Sequence, residues 1–379
     1  MKVPFGSLAA IVVSVGVIAA ALMAQGNQKA DQPLPPVAKK TTKNVSTEER
    51  LDALARAQVW RAPTVPVNKA RLTAAPSQPE SIACRFQITD LSGTAQKFDC
   101  TLDNGELIRV KYGRTQEIPS EVAASRLLHT LGFGADEVML VKQVRCYGCP
   151  AEPFVTMKAV DLTDSDALYK RFVNYDHYKD FDWAAVERKH QGRAIGTDEV
   201  KGWAFFELDG VDAAKGGAPR AHVDALRLLS VFLAHWDNKS ENQRLVCLSD
   251  KDWPEGGTCR APLAMLQDVG AAFGPKKVDL DGWTKAPIWA NRALCETSMA
   301  TLPYEGATFT AVRITEAGRR HLAGLLGQLS DQQIHDLFAG ARFDHAGGFL
   351  KTGASEIPEW VAAFKNKVRA ISEGPSCPQ

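Results

Sequence analysis

The chain has 379 residues, 45% of them hydrophobic and 23% charged, so it is long and apolar enough to bury a sizeable core. This composition excludes a disordered or collagen-like protein. The 45 Lys and Arg residues against 44 Asp and Glu residues leave a formal charge of +1. A general nucleic-acid-binding protein is therefore not expected, because such proteins carry an excess of positive charge. Any anionic ligand has to be bound at a local site.

An apolar segment lies at the N-terminus. Residues 5–24 contain no charged residue, and Lys2 is the only charge before them. Small residues near the end of the segment suit a cleavable signal peptide, whereas about 20 apolar residues can also span a bilayer. Residues 1–24 are thus predicted to be a signal peptide or a membrane anchor, with membrane attachment through residues 5–24 left open. The predicted location is secreted, periplasmic, or anchored in a membrane and facing outward.

The eight cysteines point to disulfides. An even number of cysteines behind an export signal favours an oxidising compartment. Local pairing of Cys84 with Cys100, and of Cys247 with Cys259, is the simplest arrangement, because each pair flanks a predicted hairpin. Cys146 and Cys149 could instead supply half of a zinc site, but neither a second CxxC nor a nearby His pair completes four ligands.

The N-terminal half is predicted to be rich in strands. Residues 25–78 are rich in proline, alanine and lysine and predict a linker, interrupted by a short amphipathic helix over residues 47–59. A helix is predicted from Pro119 to Gly132, where a glycine favours termination. Strands are predicted from their alternating apolar residues and turns over residues 84–89, 96–102, 106–112, 138–144 and 153–159.

The C-terminal half is predicted to be mainly helical, with two short strands over residues 244–248 and 263–267. Residues 222–236 are apolar on nearly all sides, which is typical of a buried helix. The other predicted helices cover residues 182–189, 316–326, 331–339 and 358–371. The predicted domain boundaries are 79–160 for an N-terminal lobe and 161–379 for a C-terminal lobe.

Polar residues that suit phosphoryl transfer follow the buried helix. Asp237 and Asn242 lie on the loop that leaves it, and Asp268 begins an Asp-x-Gly turn after the second short strand. Phosphoryl transfer needs a carboxylate to orient or deprotonate the attacking hydroxyl, and oxygen ligands to hold Mg²⁺ against the phosphates. Asp237 suits the first role, and Asn242 and Asp268 suit the second.

The upstream half supplies two further residues of this kind. Lys111 is at the end of a predicted strand, and Glu121 is in the first turn of the helix that follows. A strand lysine that contacts phosphates needs a carboxylate to fix its long, flexible side chain. The order Lys, Glu, Asp, Asn, Asp is the order expected of a bilobal kinase.

These residues resemble the atypical branch of the protein-kinase superfamily, which includes secretory-pathway Golgi casein kinases, CotH-type spore-coat kinases and HipA-type kinases. The resemblance is carried by residues 237–242 and 268–274, with Lys111 and Glu121 in support, and it extends over residues 82–343 as an order of elements. It implies an α+β, bilobal protein-kinase-like fold, with a strand-rich N-lobe containing one helix and a mainly helical C-lobe.

The same resemblance implies an exported phosphotransferase that depends on ATP and on Mg²⁺ or Mn²⁺. It assigns Lys111 and Glu121 to ATP binding, Asp237 to the catalytic base, and Asn242 with Asp268 to the metal. The implied partners are a nucleotide and an unidentified phosphate acceptor, which could be a hydroxyl of a protein, a glycan or a small molecule.

Three departures from the usual kinase pattern keep alternatives open. Trp236 stands in place of the Arg of His-Arg-Asp, Val269 in place of the Phe of Asp-Phe-Gly, and no GxGxxG loop is present. A catalytically inactive pseudokinase and an envelope-tethered binding module are therefore the alternative predictions.

Overall fold

A computed structural model of the protein describes residues 42–72, 80–161, 173–190, 192–254, 257–303, 306–346 and 355–378. The predicted signal peptide or anchor at residues 1–24 lies outside these ranges. Within them, no helix has both the length and the apolar character needed to cross a bilayer.

Residues 42–72 pack against the rest of the protein. They contain strand β1 (Thr42–Asn44), helix α1 (Thr47–Ala55) and several fully buried apolar side chains, including Leu54, Val59 and Leu72. The predicted linker over residues 25–78 therefore does not hold for this part of the chain. Burial of these side chains in the main core stabilises the segment, although its proline content is typical of a linker.

Five strands of the N-terminal half form a closed barrel with the order β2-β3-β4-β6-β5. Parallel pairing of β2 with β5 closes it, and the other neighbouring strands are antiparallel. Its interior is a separate apolar core that includes Phe86, Phe98 and Phe181. The strands are β2 (Ser81–Gln87), β3 (Lys97–Thr101), β4 (Leu107–Lys111), β5 (Glu137–Tyr147) and β6 (Tyr178–Arg188).

Helix α2 (Glu117–Leu131) joins β4 to β5 and packs outside the barrel, in the main core. Gly132 ends it in the left-handed conformation, with a φ of 88°, as expected for a glycine at a helix C-terminus. Because α2 starts only a few residues after β4, its first two turns lie beside the end of that strand.

The C-terminal half combines a small sheet with helices. Strands β7 (Arg193–Gly196), β8 (Gln243–Cys247) and β9 (Leu263–Leu266) form a sheet with β1 at its edge, and β10 (Glu296–Thr297) pairs with β11 (Val312–Arg313). The main core lies between this sheet, α2 and the helices. The helices are α4 (Arg220–Leu233), α5 (Leu280–Lys285), α6 (Glu316–Leu326), α7 (Asp331–Gly340) and α8 (Ile357–Ser372), after α3 (Pro153–Asp161) in the N-terminal half.

Two predicted elements have the wrong secondary structure. Residues 153–159, predicted as a strand, belong to helix α3, whose first residue is Pro153, a position where proline is favoured. Residues 182–189, predicted as a helix, belong largely to strand β6. Pairing of β6 with both β4 and β5 in the barrel outweighs the helix preference of its Ala184 and Ala185.

Four disulfides crosslink the described residues. The predicted pairs Cys84–Cys100 and Cys247–Cys259 are both formed, together with Cys146–Cys149 and Cys295–Cys377. Cys146 and Cys149 thus offer no thiolates to zinc, and the zinc alternative is not supported. Disulfides of this number are typical of an oxidising, extracytoplasmic compartment.

Candidate functional site

A buried hydrogen bond between a lysine and a glutamate joins the barrel to α2. Lys111, the last residue of β4, donates a hydrogen bond from Nζ to Oε1 of Glu121 at 2.7 Å. The two residues are 3% and 0% exposed. Since α2 begins at Glu117, Glu121 lies in the second turn rather than the first, which brings its carboxylate beside the end of β4.

Asp268 lies at the same ammonium group. Its Oδ1 is 3.6 Å from Lys111 Nζ, and its side chain keeps 40% of its surface exposed. Glu117, one turn before Glu121 on α2, places Oε1 at 3.7 Å from the same nitrogen. Gly270 makes this approach possible, because a Cβ at this position would lie 2.5 Å from Glu117 Cγ. Three carboxylates therefore surround one buried lysine.

The loop after α4 is hydrogen-bonded to the Asp268 turn. Ala234 turns the chain with a φ of 53°, and Asn242 Nδ2 then donates to the carbonyl of Asp237 at 2.7 Å. The carbonyl of Asn242 accepts the amides of Gln267 (2.8 Å) and Asp268 (3.2 Å). These bonds hold the loop that carries Asp237 and Asn242 against the end of β9, which carries Asp268.

The five residues singled out from the sequence thus fall into two linked groups. Lys111, Glu121 and Asp268 make direct charge contacts. Asp237 and Asn242 lie on the adjoining loop, and the charges of Asp237 and Asp268 both act on the buried His235.

Burial and neighbouring charges act in opposite directions on this cluster. For Lys111, burial disfavours the charge, but Asp268 and Glu121 outweigh it and raise the pKa well above its usual value. Burial likewise disfavours the charge of Asp268, but Lys111 and Lys97 lower its pKa to about 2. Burial raises the pKa of Glu121 to about 8 in spite of Lys111. At neutral pH, Lys111 and Asp268 are both charged.

The sequence did not identify three charged residues of the site. Glu117 contacts Lys111 as described, and its Oε2 pairs with Lys277 Nζ at 2.5 Å. Lys97, the first residue of β3, faces Lys111 across the β3–β4 ladder. Glu117 could have been found from its spacing of four residues before Glu121, and Lys97 from its position opposite Lys111 in the predicted hairpin.

The oxygen atoms of the site fit a hard divalent cation. Among the described residues, the buried Glu121 Oε2 and Asp237 Oδ1 accept no hydrogen bond, although Lys239 Nζ lies 3.3 Å from the latter. Carboxylate and amide oxygens are the ligands that Mg²⁺ and Mn²⁺ prefer. Asp268 and Asn242 would hold such an ion beside these atoms.

The raised pKa of Glu121 predicts a pH-dependent difference in stability. Glu121 keeps its proton in the folded protein up to about pH 8, whereas the unfolded chain loses this proton above pH 4.5. The contribution of Glu121 to the free energy of unfolding is therefore largest near pH 5 and below, and it is lost as the pH rises towards about 8. Glu121→Gln stays neutral throughout. We therefore expect the free energy of unfolding of the wild type to fall relative to that of the variant between pH 5 and pH 8, measured by denaturant titration. Parallel pH profiles for the two proteins would contradict this expectation.

Comparisons with known proteins give distant structural likenesses only. No protein-family model and no curated protein matches the chain. Among solved structures, the chain is similar to the crystal structure of a Helicobacter pylori proinflammatory kinase, CtkA, with 12% sequence identity and a TM-score of 0.38. The alignment covers 76% of this chain and 94% of that chain. A TM-score this low carries no weight, so any assignment of function rests on the residues of the site.

Proposed function

We propose that the protein is an exported, metal-dependent kinase that transfers a phosphate group from ATP to a hydroxyl group of a protein, glycan or small molecule. The observation that carries this proposal is the hydrogen bond from Lys111 Nζ to Glu121 at 2.7 Å, with Asp268 at 3.6 Å from the same ammonium. A strand lysine fixed by a helix glutamate, next to a metal-binding aspartate, is the arrangement that positions ATP phosphates in bilobal kinases.

Each residue has a distinct role in this reaction. Lys111 binds the α and β phosphates, and Glu121 holds its side chain in place. Asp268 and Asn242 bind the metal, which would supply positive charge to the phosphate oxygens. Asp237 orients the acceptor hydroxyl and takes its proton, and its Oδ1, which is 3.3 Å from Lys239 Nζ, accepts no hydrogen bond from the described residues.

Two lobes are part of the same proposal. The barrel interior and the main core are separate apolar clusters, and the site lies where residues of the barrel, of α2 and of the C-terminal half come together. The four disulfides support the exported location.

A pseudokinase is the second candidate. It is favoured by Trp236, which replaces the usual Arg, and by the β2–β3 connection, whose only glycine is Gly93. A protein of this kind would bind nucleotide through the same residues without transferring phosphate.

Nucleotide binding and phosphate transfer can be tested together. Thermal unfolding of the full chain would be measured with and without ATP plus Mg²⁺ or Mn²⁺, and release or transfer of the γ-phosphate would be followed in parallel. A ligand at 100 times its dissociation constant stabilises by about 2.7 kcal/mol. We expect a metal-dependent shift and phosphate transfer in the wild type, and the loss of both in Asp268→Asn.

The matched control is Asp281→Asn, since Asp281 is an exposed carboxylate paired with Lys285 away from the site. It should behave as the wild type. A shift without any phosphate transfer would move the assignment to the pseudokinase. If neither metal gives a shift with ATP, the kinase proposal is wrong and a binding module becomes the better assignment.

A further inference from the structure

Lys97 is a mostly buried lysine whose ammonium group makes no direct ion pair with the described residues. It is 6% exposed, and among the described residues its Nζ makes neither a hydrogen bond nor an ion pair. Burial and the positive charges of Lys111 and Arg109 all lower the pKa of Lys97. Partial burial of an ammonium group without a hydrogen-bond partner is unfavourable, and a ligand that supplies negative charge would offset this cost.

The carboxylate nearest to Lys97 along β3 is already engaged. Asp99, two residues further on the same strand, accepts hydrogen bonds from Arg109 Nε at 2.7 Å and from Arg109 Nη2 at 3.0 Å. Thr89 Oγ1 donates a third bond to it at 2.8 Å. Asp99 is therefore not available as a partner for Lys97.

Lys97 lies next to Lys111, the residue proposed to bind the phosphates of ATP. Lys97 lies directly opposite Lys111 in the antiparallel pairing of β3 and β4. The charges of Asp268 and Glu117, which contact Lys111, act on Lys97 as well. An anion beside Lys111 would therefore be attracted by both ammonium groups.

The turn between β2 and β3 lies close to the ammonium group of Lys97. Gly93 adopts a φ of 74°, and a Cβ at this position would lie 3.3 Å from Lys97 Nζ. The Gly93 backbone thus approaches the ammonium closely, and no side chain at this residue covers it.

We propose that Lys97 is a second phosphate-binding residue, which together with Lys111 holds the polyphosphate group of the nucleotide beneath the Gly93 turn. The identity of the anion as a nucleotide rests on the proposed function. A buried point charge at this turn takes the place of the several backbone amides that a GxGxxG loop supplies. The missing glycine motif is therefore compatible with tight nucleotide binding.

The experiment uses inorganic tripolyphosphate as the probe, because it carries the phosphate chain without a nucleoside. Its affinity for the full chain would be measured by calorimetry for the wild type, Lys97→Met, Lys97→Arg and Lys142→Met. Lys142 is an exposed lysine on β5 and serves as the control. We expect Lys97→Met to weaken binding at least tenfold, Lys97→Arg to retain most of it, and Lys142→Met to match the wild type.

Thermal unfolding without ligand separates a binding role from a structural one. Because Lys97→Met removes an unpaired buried charge, the unliganded variant should melt at or above the temperature of the wild type. A lower melting temperature with unchanged tripolyphosphate affinity would show that Lys97 is structural and overturn the proposal. If Lys97→Met does not fold, chemical labelling of the lysine amines of the wild type, with and without tripolyphosphate, tests the proposal instead. Tripolyphosphate should protect Lys97 but not Lys142, and unchanged labelling of Lys97 would overturn the proposal.

Failure of this proposal and failure of the kinase assignment give different results. Lys97-dependent tripolyphosphate binding without phosphate transfer from ATP would support the anion site and refute the kinase. Metal-dependent transfer from ATP with tripolyphosphate binding that is indifferent to Lys97 would refute the role of Lys97 alone.

Discussion

Asp237→Asn is expected to lower the rate of phosphate transfer by about 10²- to 10⁴-fold, the range for loss of a general base. The substitution preserves the size and shape of the side chain but removes the negative charge that accepts the proton of the acceptor hydroxyl. Asp237 keeps 27% of its side-chain surface exposed, so an acceptor can reach it. The measurement is the turnover number with saturating ATP and metal.

The binding of ATP should respond to Asp237→Asn differently from the turnover number. Asn242 bonds to the main-chain carbonyl of Asp237, not to its carboxylate, so the loop should keep its conformation in the variant. Asp237→Asn is therefore expected to leave the ATP-induced thermal shift near that of the wild type. Glu241→Gln, which neutralises an exposed carboxylate of the same loop, is the control and should leave turnover unchanged. If Asp237→Asn keeps normal turnover, another residue is the base.

The sequence located residues whose positions depend on short-range geometry. Lys111 and Glu121 are ten residues apart, on a strand and on the helix directly after it, so few arrangements of the connection are available. Asp237 and Asn242 share one loop. Asp268 was recognisable because the short β8–β9 hairpin brings the residue after β9 back to that loop. The roles of these five residues remain predictions.

Features that depend on the closed barrel were not recognisable. The alanines and charged residues of residues 182–189 favour a helix locally, and only pairing with two neighbouring strands makes them part of strand β6. The burial of Lys97 also depends on the assembled barrel, whereas a lone strand lysine is usually exposed.

One disulfide of the C-terminal half could not be predicted either. Cys295 and Cys377 are separated by 82 residues in the sequence, and no local pattern indicates that they pair.

Behind the loop that carries Asp237 and Asn242, the backbone at Gly202 makes a close contact. A Cβ at Gly202 would lie 1.9 Å from the carbonyl oxygen of Ser240 and 2.4 Å from that of Gln243. Ser240 is the first residue of the single helical turn that carries Asn242, and Gln243 directly follows that turn. Arg50 fixes Gly202 from the other side, because its guanidinium donates to the Gly202 carbonyl at 2.6 and 3.2 Å. The contact therefore connects the N-terminal segment to the loop of the site.

Gly202→Ala is expected to destabilise the protein by about 3 kcal/mol, the upper end of the usual range for overpacking. Both neighbours are backbone atoms, so the added methyl group has no flexible side chain to displace, and the loop has to move instead. The free energy of unfolding from denaturant titration measures the loss of stability. Displacement of Asn242 should also weaken metal-dependent ATP binding, measured at a temperature where the variant is folded.

Gly210→Ala is the matched control, since a Cβ there meets no atom within 4 Å, and it should change stability by less than about 1 kcal/mol. Equal stability of Gly202→Ala and Gly210→Ala would show that the loop is not held by this contact, and the position of Asn242 would then need another explanation.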